Sequence, residues 1–300
     1  MIDIKQLEAK RLKLYDSFKQ EQKKGFLIFL IAGLIVAIAL FTQVYYLLIG
    51  ALVAGLISGN FFARAEKFAK EFKTTVKNDV VMYVLSQHFD NIYYNHKQTI
   101  SLETIMSAGL IRRPDRFNGE DYVKASYKGV EFEVSDVDLK ERVVRRDSRG
   151  NQIVSYETYF RGRWYVYRFK RSFKDVLKIV EGSGSYTNTR GLERFETESI
   201  QFNKKFRIFS SSKEHGFYII TSSVLEKLLE LEKLHAGSIM YCFQKNELHI
   251  GVNDRKNYLE IDFRKQINEE SIKVFASDVD LIAAIVNELR LDSSKFNQNR

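Results

Sequence analysis

The chain has 300 residues, 45% of them hydrophobic, and a formal net charge of +9. That is enough apolar material for a folded core and excludes wholesale disorder, and a single cysteine, Cys242, excludes an intramolecular disulfide framework or a cysteine zinc cluster. Residues 1–24 and 63–77 each carry an excess of three positive charges, so two thirds of the net charge flanks one apolar segment instead of forming a nucleic-acid footprint.

That segment, Gly25 to Phe62, contains 38 residues and no charge. As one helix it would extend about 57 Å, nearly twice a hydrocarbon core of about 30 Å. Thr42-Gln43 is the polar break near its centre, so the sequence predicts two antiparallel spans joined by a short turn. "ARA" at 63–65 has the form of a signal-peptidase site, but the apolar run is several times a signal h-region. Lys19, Lys23 and Lys24 precede the first span, and Arg64, Lys67, Lys70 and Lys73 follow the second, so the positive-inside rule places both termini in the cytoplasm. Gly33 and Ala37 on the first span, with Ala51, Gly55 and Gly59 on the second, offer small-residue stripes for pairing within one chain or between chains of a homo-oligomer.

Helical periodicity continues outside the apolar run, at Ile4, Leu7, Leu14 and Phe18 and again at Ala65, Phe68, Phe72, Val76, Val80 and Tyr83. The expected organisation is a basic amphipathic helix over 1–24, a two-span hairpin over 25–62, a juxtamembrane stalk helix over 63–90, and a cytoplasmic α+β domain over 91–300, mostly antiparallel sheet with a few packed helices. Arg64, Lys67, Lys70 and Lys73 interleave with Phe68 and Phe72, which makes them candidates for lipid headgroups as well as for a solvated stalk face.

Beyond residue 91 the period changes to two. Val130, Phe132 and Val134 alternate with Glu131 and Glu133, and the phase then slips to Val137 and Leu139, which predicts a bulge at Ser135-Asp136. "DSRGN" at 147–151 reads as a turn, and 153–160 and 161–169 read as two strands joined at Arg161-Gly162. Trp164 and Val166 oppose Tyr165, Tyr167 and Phe169 across the strand. Core packing on both faces explains these aromatics better than an RNA-stacking platform. "GSGSYTNTRG" at 182–191 reads as a surface loop, and Gly182-Ser183-Gly184 lacks the rest of a dinucleotide-binding pattern. Residues 200–210 and 216–220 suggest strands. Ser223 with Glu226 forms a capping-box pattern ahead of a leucine-rich helix running to Leu234, and 238–252 reads as a hairpin turning at Lys245-Asn246. A final helix is expected from Ser277, with Asp278 and Asp280 at its N-terminus and Val279, Ile282, Ile285, Val286 and Leu289 buried.

Five scattered histidines, His88, His96, His215, His235 and His249, show no metal-ligand spacing, and neither a phosphate-binding loop nor a nucleophile elbow is present. No metal or cofactor is expected, and Cys242 reads as a small buried hydrophobe.

The segment from Ser107 to Asp121, S-x-G-L-x-x-R-P-D-R-x-x-G-E-D, resembles the bacterial membrane-protein family defined by domain of unknown function 3137. The resemblance continues through "FRGRWYVYRF" (160–169), "FRIFSSSKEHGFYIITSSVLEKLLEL" (206–231) and "LIAAIVNELRLD" (281–292), with Ser222 standing where that family often has proline. It implies a cytoplasmic α+β domain on a membrane hairpin at the bacterial inner membrane, and no established activity. Read from the residues, Pro114 ends the preceding helix and Gly119 frees the backbone before a strand. Arg113 and Arg116 could fork onto Glu120 or Asp121, or Arg112, Arg113 and Arg116 could hold an anion. The expected function is an interaction or ligand-sensing module facing the bilayer and a cytoplasmic protein partner. The alternatives are a membrane-tethered enzyme on a phosphorylated or lipid substrate and, less consistent with the charge distribution, a nucleic-acid binder.

Overall fold

A computed structural model describes residues 4–182, 186–233 and 237–297. The chain divides into two units, Met1–Tyr83 with Glu260–Phe275, and Val84–Leu259 with Ala276–Arg300.

In the first unit α1 (Ile4–Thr42) and α2 (Leu47–Phe72) are joined at Gln43, whose φ of 57° reverses the chain at the expected break. Both helices are long and apolar enough, by length and composition, to cross a membrane. α2 continues through a π-helical turn (Lys73–Lys77) into α3 (Asn78–His88), so helix persists well past the apolar run. The seam shares Ala51 with the predicted stripes and otherwise differs from them. Gly25, Ala32 and Ala39 of α1 are buried, as are Ala51, Ser58, Ala65 and Phe72 of α2. A step of seven brings each back to the same face, and the small side chains let the two backbones approach. Ser58 Oγ donates to the Gly25 carbonyl at 2.8 Å across the seam. Gly33, Gly55 and Gly59 lie off it, with nothing within 4 Å of a Cβ built on them.

The α1 end of this unit packs on the 260–275 segment. Phe263 meets Phe72 at 4.6 Å and Tyr15 at 5.4 Å between ring centroids, while Leu7, Phe72, Val76, Val80 and Ile267 form one buried cluster. Arg11, the apparent interruption of the apolar stripe, is buried against Glu8 at 2.7 Å and donates to the Phe263 carbonyl at 3.0 Å.

The second unit is a sheet with helices against it. Its described strands are β1 (Asp90–Asn95), β2 (Arg116–Tyr127), β3 (Val130–Arg146), β4 (Gln152–Glu181), β5 (Glu193–Phe195), β6 (Phe206–Ser210) and β7 (Ser238–Asn253), every pairing antiparallel. The backbone of the sheet is β4. It pairs with β3 over 152–168 and with β6 over 177–181 along one edge, and with β7 over 163–180 along the other.

Several sequence expectations are corrected here. No joint exists at Arg161-Gly162: β4 runs straight through, and Gly162 is required because a Cβ would sit 2.2 Å from the Val252 carbonyl of β7. Likewise β7 does not fold back at Lys245-Asn246. Both of its halves find a longer partner in β4, with Lys245 at φ 49° accommodating a register shift. The bulge predicted on β3 belongs to β2, where Asp121 and Tyr122 occupy the step between Glu120↔Asp136 and Val123↔Val134. β3 itself stays regular, and its apolar phase slips because its buried face changes from Phe132 and Val134 to Val137 and Leu139.

Short apolar runs account for the remaining differences. Residues 200–205 form α5 (Ile200–Lys205), capped by Ser199, and 216–219 lie in α6 (Lys213–Ile219), capped by Ser212, so local capping decided what periodicity left ambiguous. The next helix, α7 (Ser222–Lys233), is capped two residues earlier than predicted, by Thr221 and not Ser223, the Thr221 hydroxyl accepting from Val224 N at 3.4 Å. α8 (Glu269–Glu288) begins well before Ser277, capped by Asn268, which leaves Asp280 in mid-helix, 3.8 Å from His88. Leu234, His235 and residues 183–185 of the glycine-serine loop lie outside the described residues.

Both faces of the central strands are covered. On one, Trp164, Val166, Val137, Leu139 and Phe160 pack with Ile100 and Ile105, the latter on α4 (Leu102–Ser107). On the other, Phe132 meets Phe89 at 4.9 Å, and Tyr167 donates to the Ile282 carbonyl of α8 at 3.0 Å.

Candidate functional site

The two segments that carry the clearest sequence patterns, "RPDRFNGED" and "FRGRWYVYRF", converge at one place in the sheet unit. Asn118, Gly119 and Glu120 of β2, Asp136, Val137 and Asp138 of β3, and Arg161 and Gly162 of β4 line a cleft of about 280 Å³, closed by Lys256 and Asn257 after β7. Gly119, Val137 and Gly162 form a row across three strands. Gly162 combines a close approach with a φ of 149° that suits glycine, whereas Gly119 is fixed by close approach alone, since an added Cβ would lie 2.6 Å from the Asp136 carbonyl and 2.3 Å from Thr99 Oγ1.

Beneath the cleft lies a buried ion pair. Asp136 accepts from Arg163 Nε at 3.2 Å and, through its second oxygen, from Tyr258 N at 2.5 Å. The Arg163 guanidinium also covers the Tyr258 ring at 3.9 Å, and the Tyr258 hydroxyl donates to Asp254. Burial pushes the Asp136 carboxyl up to about 6; the Arg163 charge and the Tyr258 N–H oppose the rise without cancelling it. Nearby, at the β2 bulge, the Tyr94 hydroxyl donates to Asp121 at 2.5 Å.

Charge in the cleft is asymmetrically satisfied. Besides Asp136, Asp138 accepts from Thr158 at 2.9 Å and lies 3.4 Å from Lys140, and Glu120 accepts from Asn257 at 2.9 Å. Arg161 is anchored by its backbone, whose N–H donates to Asn253 at 3.0 Å and whose carbonyl accepts from Arg255 N at 2.8 Å. The exposed side chains of Arg161 and Lys256 form no ion pair among the described residues. The cleft therefore offers two available cations beside carboxylates that already have partners.

The sequence-predicted arginines do not gather around one ligand position. Arg112 pairs with Glu141 and lies between the Tyr159 and Tyr186 rings, at 5.3 and 4.6 Å from their centroids. Arg116 covers the Tyr156 ring at 3.4 Å, and exposed Arg113 forms no ion pair among the described residues. The fork from Arg113 and Arg116 onto Glu120 or Asp121 is absent. The Asp115 carboxylate accepts from Arg142 N of β3 at 2.7 Å. On α2, Lys70 pairs with Glu66 at 2.9 Å, Arg64 lies over Phe61 at 5.7 Å and Lys67 is exposed, as is Lys73 at the start of the π-helical turn.

Sequence reasoning missed two networks, one buried and one half-buried. The first is Asp136–Arg163–Tyr258; the second runs from Glu133 through Arg168 at 2.6 Å to Glu247 at 3.1 Å and on to buried His249 at 3.0 Å from Glu247. An arginine inside an otherwise apolar strand, as in "RGRWYVYRF", was the available signal. Its partners lie on strands that the sequence does not place together.

The family model described as protein of unknown function (DUF3137) matches residues 158–291. That range contains the 160–169 and 206–231 segments and all but the last residue of 281–292; the 107–121 segment lies outside it. No curated protein matches. Among solved structures, the crystal structure of the mycobacterial trehalose monomycolate transport factor A, TtfA, aligns with a TM-score of 0.40 and 8% identity, over 72% of this chain and 94% of that one.

Proposed function

We propose that this chain is a two-span protein of the bacterial inner membrane, with both termini in the cytoplasm, whose sheet unit is an interaction and ligand-sensing module. The observation that carries the reading is the uncharged hairpin with its large side chains turned outward: Phe26, Leu27, Phe29, Leu34 and Leu40 on α1, and Ile49, Leu52 and Leu56 on α2, are each more than half exposed. Water penalises such a surface and lipid does not. The ligand reading rests on the cleft. Arg161 and Lys256 favour a small anion, and the glycine row keeps the strand backbone close beneath it.

Two measurements test this. A cysteine placed at exposed Ser148, with buried Cys242 left in place, is expected to react with a membrane-impermeant maleimide only after cells are permeabilised. Labelling in intact cells would reverse the orientation. Purified protein is expected to gain thermal stability with inorganic phosphate and to lose that gain in an Arg161→Ala, Lys256→Ala variant. Equal shifts in both proteins would remove the cleft as the anion site.

A further inference from the structure

Past the last β2 pairing, Arg116↔Lys140, and before the first β7 pairing, at Arg163, β3 and β4 continue as a two-stranded arm closed by the turn at Asp147–Asn151. Two-stranded ribbons are marginal alone, because neither face is covered. The arm leaves Val144, Ile153 and Val154 44%, 53% and 45% exposed.

Its two faces differ in charge. Cross-strand partners share a face, so Lys140, Arg142, Val144 and Arg146 stand together with Thr158, Tyr156, Val154 and Gln152. Arg116, opposite Lys140, extends the same face and covers Tyr156. From Lys140 to the tip this face has no carboxylate. Both acids of the strands in this stretch, Glu141 and Glu157, lie on the other face, where Glu157 pairs with Arg145 at 2.6 Å. Arg142 and Arg146 bracket the exposed Val144–Val154 pair and form no ion pair among the described residues.

We propose that this face docks on anionic phospholipid headgroups, with Arg142 and Arg146 on the phosphates and Val144 and Val154 entering between them. Clustered cations beside aliphatic side chains complement a negatively charged bilayer surface, which attracts the charges and accepts the apolar tips. A base-stacking surface is disfavoured because the one aromatic ring on the face, Tyr156, already carries Arg116. The proposal rests on the membrane-anchored reading above, since tethering a chain to a bilayer raises the local concentration of headgroups for any face of it that binds them.

The test uses the full chain reconstituted in lipid nanodiscs, with Ser148→Cys carrying an environment-sensitive fluorophore. Anionic phosphatidylglycerol discs are expected to shift the emission to the blue relative to neutral phosphatidylcholine discs, with reversal at about 1 M salt, where the screening length is about 3 Å. Arg142→Gln with Arg146→Gln is expected to lower the contact equilibrium roughly 30-fold, from about a fivefold effect per charge. Val144→Ser with Val154→Ser is expected to weaken contact while leaving its salt dependence. Equal emission in both lipids, or no change in the arginine variant, overturns the proposal. A blue shift produced by polyuridylate in neutral discs would reassign the face to nucleic acid and likewise overturn it. Failure of the chain to migrate with the discs would instead sink the membrane anchor.

Discussion

Replacing Arg163 by methionine keeps most of the side-chain volume but strands the Asp136 carboxylate in the sheet unit. Both groups are buried, at 1% and 4% exposure, so solvent screens the loss little. Breaking one side of such a pair costs about 3–5 kcal/mol. The pH dependence identifies the mechanism. Asp136 titrates near 6 in the folded protein, above its ordinary carboxylate range, so the folded state binds an extra proton between roughly pH 4 and 6. Its stabilising contribution is present below that window and is lost as pH rises through about 6. Without Arg163 the folded value climbs further, each added unit costing about 1.4 kcal/mol above it. The penalty in Arg163→Met should therefore be largest near pH 8 and shrink toward pH 5. Urea unfolding in detergent, followed by fluorescence of buried Trp164, the chain's one tryptophan, reads this directly. A penalty under about 1 kcal/mol near pH 8, or one equal at pH 5 and pH 8, would refute the account of a desolvated pair.

Three further outcomes are expected. Gly162→Ala should destabilise the sheet by about 3 kcal/mol in the same assay, because its Cβ would meet the Val252 carbonyl at 2.2 Å; a neutral result would mean that β4 and β7 do not pass so closely. Ala39→Leu should disrupt hairpin packing and lower thermal stability in detergent, whereas Gly33→Leu, off the seam, should not; the reverse order would restore the small-residue stripes as the packing face. Cys242, buried and with its thiol pushed up to about 12 by desolvation, should resist maleimide at pH 7.5 until urea is added; prompt labelling of the folded protein would contradict its place in the core.

What could be read ahead of the fold was whatever depended on near neighbours or on solvent. The turn at 147–151 follows from Asp147, whose carboxylate accepts from Arg149 N and Asn151 N. The apolar face of α8 was likewise legible, since Val279, Ile282, Ile285 and Val286, with Leu289 just past its end, are all buried as the spacing requires. The candidate cleft was only half legible. Both of its motif segments stood out, and the sequence offered Arg112, Arg113 and Arg116 for an anion; in the fold Arg112 and Arg116 lie against tyrosine rings and Arg112 pairs with Glu141, while the cations that line the cleft are Arg161 and Lys256.

By itself the sequence determined the apolar hairpin, because a 38-residue run without charge meets its solvent one residue at a time and needs no partner to be expelled from water. Tertiary structure alone decided the seam, the pairings and the cleft. An apolar stripe around a membrane helix does not reveal which small residues face a neighbour. An apolar strand does not name its partner either. β4 resolves that ambiguity by pairing with β3, β6 and β7 in turn, and so brings Arg163 to Asp136 from 27 residues away. Such contacts form only where the whole sheet's packing outweighs the cost of burying two charges, and that balance is set in three dimensions.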